Sequence, residues 1–485
     1  MTEKEGQPRC VDAVWASFLI AVPAGLHLYL GAPFDADSAY HVAVGWLIRD
    51  HGVLHAFPWT PFSWLADHYA DKELLFHLLL AATRGLSWTA AAHVAGAICG
   101  AAALLAAFFV LRRERIELAG IWAFLPLAAS SVFVYRFSIV RPHLLSIALA
   151  ILVLWAASRR VLLLLFAASA IYPWAYVAWH LPIALVLVAE VARWISGERP
   201  GWRPLAAAVA GMAVGVAFHP NSLQVVRLAW FVLSEVLVRN AWAGLQGFEL
   251  GLEFEPFSMG QWIRWLAVPA GMAAAAALLA WRDRRGNAVP LAFAAATLAF
   301  GTATIRTARF AEYFVPFSST ALALAWHPRR GWVLSLLAGC ALYSAWPTAT
   351  MLAGLHEETE RIPASLATTL RQRIPPGSQV FTCDWGHTGE LMLALPERRF
   401  MVALDPTFFY AKDPDLYRLW YRLPREAPPF AAEIIRQAFG ARFVICRWDE
   451  RFRGFLNRLA TEGGVNTISI VDDWSVYDLG DRGSR

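Results

Sequence analysis

The sequence predicts an all-α polytopic membrane domain followed by a small α/β domain, on three observations. Of 485 residues, 58% are hydrophobic and only 16% charged, whereas a soluble domain carries about 25% charged residues. Uncharged apolar runs of bilayer-crossing length recur along most of the chain, and the mean hydropathy is +0.45. From His356 onward the composition turns polar, with Glu357, Glu358, Glu360 and Arg361 at the boundary. That boundary sets a transmembrane domain over 1–355 and a soluble domain over 356–485. An ordinary cytosolic enzyme is excluded. The 23 Trp suit membrane–water interfaces, and a scattered net charge of +5 makes no case for nucleic acid.

A crossing needs roughly 17–25 apolar residues. The runs 13–30, 88–111, 117–134, 143–158, 204–218, 262–281, 288–304, 311–326 and 331–350 meet or approach that length, the shorter ones with some bilayer thinning. The run 161–192 holds Pro173, His180, Pro182 and Glu190, and reads as two short spans meeting near Trp174 to His180. Run 13–30 is followed by Gly31-Ala32-Pro33-Phe34-Asp35, unlike a cleavage site, so it is expected to be a retained first span.

Orientation follows from the arginines. Clusters at Arg112, Arg113 and Arg115, at Arg159 and Arg160, at Arg193, Arg199 and Arg203, at Arg282, Arg284 and Arg285, and at Arg329 and Arg330 all fall on one side if two crossings separate each neighbouring pair. This requires that 74–83 does not cross, and its apolar stretch of about ten residues is too short to. It also requires that 223–238 does not cross; its polar residues recur at helical spacing, as in a helix lying in the interface. The expectation is about eleven crossings, a cytoplasmic N-terminus and an extracytoplasmic C-terminal domain. The loop 31–87 then lies outside.

In the soluble domain, 379–383, 399–404, 442–446 and 467–471 read as strands, with helices over 387–395, 428–439 and 450–461. The domain carries no Walker loop, GxGxxG or GxSxG, so it announces no chemistry of its own. The five cysteines have no CxxC spacing, and a Cys383–Cys446 disulfide is left open.

The candidate chemistry sits in the first outer loop, at Asp35, Asp37 and His41, then at Glu73 some thirty residues on. With Asp37 as N-cap of a helix, His41 lies one turn along the same face. Two outward carboxylates can hold a metal, or one can take a proton from a hydroxyl. The alternative is a simple helix cap at Asp37 and a solvated loop acid at Glu73. Arg136 and Arg141, and likewise Arg306 and Arg309, lie at outer span ends, the side poor in cations. An arginine at bilayer depth costs roughly 2.5–3.5 kcal/mol and needs a partner, either a lipid phosphate, gripped bidentately, or a buried acid such as Glu312. His180 and His219 are secondary outward candidates. Glu249, Glu253 and Glu255 read as loop charges open to solvent.

In layout the chain resembles the GT-C superfamily of integral-membrane glycosyltransferases, and within it a group of bacterial polytopic proteins with a C-terminal soluble domain. The positions that carry the likeness are Asp37, His41, Gly45-Trp46-Leu47-Ile48, the aromatic-rich 58–63 stretch, Glu73-Leu74-Leu75-Phe76, Arg136, Arg141-Pro142, Trp174 to His180, His219-Pro220-Asn221 and Arg306 to Arg309. Two places depart from the group's pattern, Ala39-Tyr40 before His41 and Val177-Ala178 before Trp179-His180.

The resemblance implies a GT-C-like fold in the bacterial inner membrane, serving the cell envelope. It implies inverting transfer of a sugar from a polyprenyl phosphate to a glycan, lipid or protein acceptor at the extracytoplasmic face. Asp37, Glu73 and His41 would be the catalytic residues, with Asp37 as general base. Arg136, Arg141, Arg306 and Arg309 would hold the donor phosphate. A divalent cation, Mg2+ or Mn2+, on Asp37 and Glu73 is left open. Two alternatives of other classes stand beside it: a transporter or flippase for lipid-linked sugars, and a non-catalytic assembly or sensor protein that binds through its α/β domain.

Overall fold

The computed structural model describes residues 9–31, 35–242, 252–326, 328–357 and 362–480. Every expected apolar run is helical, from Arg9–Leu30 through to Arg330–Glu357. The run 161–192 indeed forms two helices, Leu162–Ala175 and Leu181–Ile195, joined by a short turn. Eleven crossings are nevertheless not established. Among the described residues, five helices are long and apolar enough to cross a bilayer, or up to seven if each of two bent pairs is one span. Helices such as Leu162–Ala175, with 14 residues, reach only about 21 Å at ~1.5 Å per residue, short of a hydrocarbon core of roughly 30 Å. The chain is a multi-pass membrane protein with short helices among its long ones.

The first of the two bends has a local cause. Ala119–Ala129 and Ser131–Ser138 meet at 97°, where the Ser130 hydroxyl accepts from the Phe133 amide and caps the second helix. Trp202–Phe218 turns by 114° into the helix that starts at Ser222. The segment 74–83 is a nine-residue helix, Leu74–Ala82.

The first loop is built around two juxtamembrane helices, Ala36–His51 and Leu74–Ala82. They touch at Gly45, where a Cβ would stand 2.6 Å from Leu80 Cβ and 3.0 Å from the His77 carbonyl oxygen. Gly45→Ala is therefore expected to lower the unfolding temperature in detergent. The helix-propensity gain of about 1 kcal/mol is outweighed by about 1–3 kcal/mol of overpacking. Gly271, with open space around it, is the control that should not lose stability on the same change.

The C-terminal domain holds a four-stranded sheet in the order β1-β2-β4-β3, with β1 Val380–Thr382, β2 Phe443–Arg447, β3 Asn466–Val471 and β4 Trp474–Asp478. β1 and β2 run parallel; the other two pairs are antiparallel. The strand expected at 399–404 is not formed. Gln379 and Arg399 make one isolated bridge, after which the Phe400 amide donates to the Trp59 carbonyl at 2.7 Å instead of to a sheet neighbour. β4 and the helix Pro414–Glu426 were not anticipated.

A disulfide joins Cys383 and Cys446. Disulfides persist in oxidising compartments. Maleimide labelling of the unfolded protein is expected to modify Cys99 and Cys340 at once, and Cys383 and Cys446 only after reduction. Labelling of Cys383 or Cys446 without reductant contradicts the bridge.

The domain does not stand apart from the membrane half. Tyr40, Val44 and Phe57 of the first loop share one hydrophobic core with Leu391, Phe400 and Phe408. The Trp64 amide donates to the Phe408 carbonyl at 2.7 Å, and the Trp59 indole to the Pro396 carbonyl at 2.7 Å. This shared core seats the α/β domain over the first loop as a roof.

Candidate active site

Asp37 is not the helix cap. Asp35 is: its carboxylate accepts from the Ser38 amide, and Asp37 falls in the first turn. Capping by Asp35 leaves the Asp37 side chain available, and it keeps 19% of its surface open. Residues 37, 41 and 45 follow at four-residue spacing, so the face that carries Asp37 and His41 is the one that packs on Leu74–Ala82 at Gly45.

On the facing element, the Asp71-Lys72-Glu73 turn is pinned from several sides. The Asp71 amide donates to Asn221 Oδ1 at 3.0 Å, and Asn221 Nδ2 donates to the Leu54 carbonyl at 2.9 Å. Asp71 Oδ1 in turn accepts from the Glu73 amide at 3.0 Å and lies 2.8 Å from His77 Nδ1. His77 Nε2 is 2.9 Å from His41 Nδ1. Lys72 Nζ reaches Glu73 Oε1 at 3.1 Å.

Opposite the acids stands an arginine cluster organised by a residue taken for a solvated charge. Glu253 accepts from Arg136 at 2.6 Å, Arg141 at 3.0 Å and Arg309 at 3.0 Å. Arg136 also pairs with Glu312 at 2.6 Å, the buried partner foreseen from the sequence. Arg141 bridges Asp35 at 2.9 Å and Asp37 at 3.1 Å, tying the acid side of the site to the basic side. Arg309 donates to the Tyr176 hydroxyl at 2.9 Å.

These groups line one cavity of about 990 Å³ whose wall mixes charged side chains with Leu181, Val236, Phe257 and Met351. Of the expected site residues, Asp35, Asp37, His41, Glu73, Arg136, Arg141, Arg309 and His180 line it. Arg306 does not; it is exposed at the end of the helix Ala288–Arg306. His219 is buried outside the cavity wall, and its Nδ1 accepts from the Asn221 amide. From that motif it is Asn221 that reaches the site, through Asp71. Glu249 lies outside the described residues. The α/β domain adds Trp385, Asp405 and Phe408 to the wall.

The electrostatics separate the acids. Burial pushes the Asp37 carboxyl up; Arg141 pulls it back, while Asp35 and Glu253 repel its charge, leaving it at about 6. Burial alone would raise Glu73 too, but Lys72, His41 and His77 bring it down to about 2. Glu253 also resists burial, and its three arginines hold it well below the usual carboxylate range. Burial lowers His41 well below the ordinary imidazole range, so it is neutral at pH 7. The site thus holds Asp37 poised near neutrality beside Glu73 and Glu253, whose carboxyls are held low, as a general base requires.

The residues do not fit Mg2+ or Mn2+ shared by Asp37 and Glu73. Asp37 is held by Arg141, and the other ligand atoms beside Glu73 are the imidazole nitrogens of His41 and His77, whereas hard cations need several oxygen ligands.

Sequence reasoning missed Asp71, His77, Lys72 and Glu253. His77 had a signal, since it stands four residues after Glu73, the N-cap of the helix Leu74–Ala82. Glu253 had none, because an acid in a loop reads the same whether solvated or enclosed by arginines.

No protein-family model matches the sequence, and no curated protein matches it. Among solved structures, the chain is similar to an arabinofuranosyltransferase from Mycobacteria, AftD, at a TM-score of 0.57 and 16% identity, covering 97% of this chain and 42% of that one. This chain therefore spans well under half the length of the transferase it matches. The likeness extends over both the membrane half and the α/β domain, and at that identity it shows a shared fold.

Proposed function

We propose that the protein is an integral-membrane glycosyltransferase that moves a sugar from a polyprenyl phosphate to an acceptor at the extracytoplasmic face. One observation carries this reading: a single cavity gathers a carboxylate poised near neutrality, Asp37, and three guanidinium groups, Arg136, Arg141 and Arg309, beside an apolar wall suited to a prenyl chain. The AftD-like fold supports it. The Cys383–Cys446 bridge supports an outward α/β domain.

Asp37 takes the proton of the acceptor hydroxyl as its oxygen attacks the anomeric carbon. The bond from that carbon to the phosphate oxygen breaks with inversion, and polyprenyl phosphate leaves with the electron pair. The charge that builds on the leaving oxygen is met by Arg136, Arg141 and Arg309, preorganised around the cavity. In the resting state the Glu253 carboxylate occupies these arginines, and the phosphate replaces it.

Purified protein in proteoliposomes, given a panel of radiolabelled polyprenyl-phosphate pentoses and hexoses with envelope glycan acceptors, is expected to make a new glycosidic linkage. Movement of label between leaflets with no new linkage would mark a flippase and overturn the reading.

A further inference from the structure

We propose that His41, His77 and Glu73 form a binding site for one transition-metal ion of the zinc class, distinct from the Asp37–Arg141 side of the cavity. One ligand atom from each lies within 4.8 Å of the others, the one such group found among the described residues. His41 Nδ1 is 2.9 Å from His77 Nε2 and 3.8 Å from Glu73 Oε2. Donors around a tetrahedral zinc, each about 2.0–2.1 Å from the ion, stand roughly 3.3 Å apart, so the two His41 spacings need shifts of about half an ångström, and the His77–Glu73 spacing, within 4.8 Å, closes by no more than about 1.5 Å.

A second observation is independent of the cluster itself. His77 Nδ1 is 2.8 Å from each oxygen of the Asp71 carboxylate. As the donor there, Nδ1 carries the proton, so the lone pair of Nε2 faces the site. A carboxylate–histidine pair of this kind is the usual support behind a metal-bound imidazole. Asp71 is itself fixed by the Glu73 amide and, through its own amide, by Asn221. The pair is buried, with Asp71 at 1% and His77 at 2% exposure.

Charge and ligand type agree. Asp71 and Glu73 bring two negative charges against the one positive charge of Lys72, so a dication meets an uncompensated negative charge. Two imidazoles and one carboxylate suit zinc, and Mg2+ prefers oxygen. On binding, His41 Nδ1 exchanges its hydrogen bond with His77 for the metal, and its proton moves to Nε2; no net proton is released. His41 and Glu73 both line the cavity, which leaves a fourth position for water or a ligand atom. The ion would clamp Ala36–His51 to the 71–77 turn and so fix where Asp37 stands.

The test uses the full chain, purified in detergent with a histidine-free tag, stripped with chelator and equilibrated in zinc-buffered solution. Elemental analysis is expected to find one zinc per wild-type chain and less than about a tenth of that in His77→Gln and His41→Gln. Asp71→Asn is expected to weaken zinc about 10–100-fold, read by competition with a chromophoric chelator. Magnesium is expected not to be retained. Cobalt substitution of the wild type gives a reading that needs no variant: visible bands of a tetrahedral site support the proposal. Their absence, or equal zinc content in wild type and folded His77→Gln, overturns it. Transfer activity enters none of these measurements, so they stand or fall apart from the glycosyltransferase reading.

Discussion

Asp37→Asn is expected to cut sugar transfer by about 10²–10⁴-fold, the range that a positioned general base contributes, with the protein still folded and inserted. The amide keeps the size of the side chain, and the helix keeps its cap because Asp35 supplies it. The wild-type pH profile should carry the same residue's signature. With Asp37 at about 6, the carboxylate that accepts the proton is lost as pH falls, so the rate should drop about tenfold per unit below pH 6 and level off above it. The position of that inflection is set first by burial, then by Arg141, with Asp35, Glu253 and Lys72 contributing. Arg141→Lys should move the inflection while Asp37→Asn should erase it. A variant without the Asp37 carboxylate that keeps both the rate and the inflection would remove Asp37 from the chemistry.

Glu253→Gln is expected to have the largest effect on stability, about 3–5 kcal/mol, because it breaks a buried ion cluster and leaves three cations facing one another. The same change should make the protein bind anions more tightly. Inorganic pyrophosphate or a short-chain polyprenyl phosphate is expected to restore much of the lost unfolding temperature in Glu253→Gln and to shift the wild type little. No response of the variant to either anion would show that the arginines serve internal partners and not an anionic ligand. The sign with pH follows from the folded carboxyl lying well below its ordinary 4.5. The stability supplied by the Glu253 cluster is present at neutral pH and is lost as pH falls below about 4.5.

The outline of the site was legible because chemistry out of place is visible in an apolar sequence. Asp37, Glu73 and the arginines Arg136, Arg141 and Arg309 stood out as charges at the ends of apolar runs, where each needs a partner. Arg306 carried the same signal and yet lies exposed at the end of its helix, away from the cavity. Three residues and the break in the helix at Thr307 separate it from Arg309, and a pattern of charges at a span end cannot resolve that difference. The capping assignment failed for a related reason: Asp35 and Asp37 are both competent N-caps, and only the path of the backbone into the helix chooses between them.

The sequence by itself determined that the chain is a multi-pass membrane protein with a polar C-terminal α/β domain, since hydropathy and length act locally and add along the chain. It also determined where the short juxtamembrane segments lie. Only the tertiary structure decided that Glu253 gathers three arginines, that Asp71 backs His77 against His41, and that Phe408 and Asp405 of the last domain close the cavity begun by the first loop. Those contacts join residues far apart in the chain. Their partners are selected by packing and by the need to neutralise buried charge, neither of which leaves a mark in neighbouring residues.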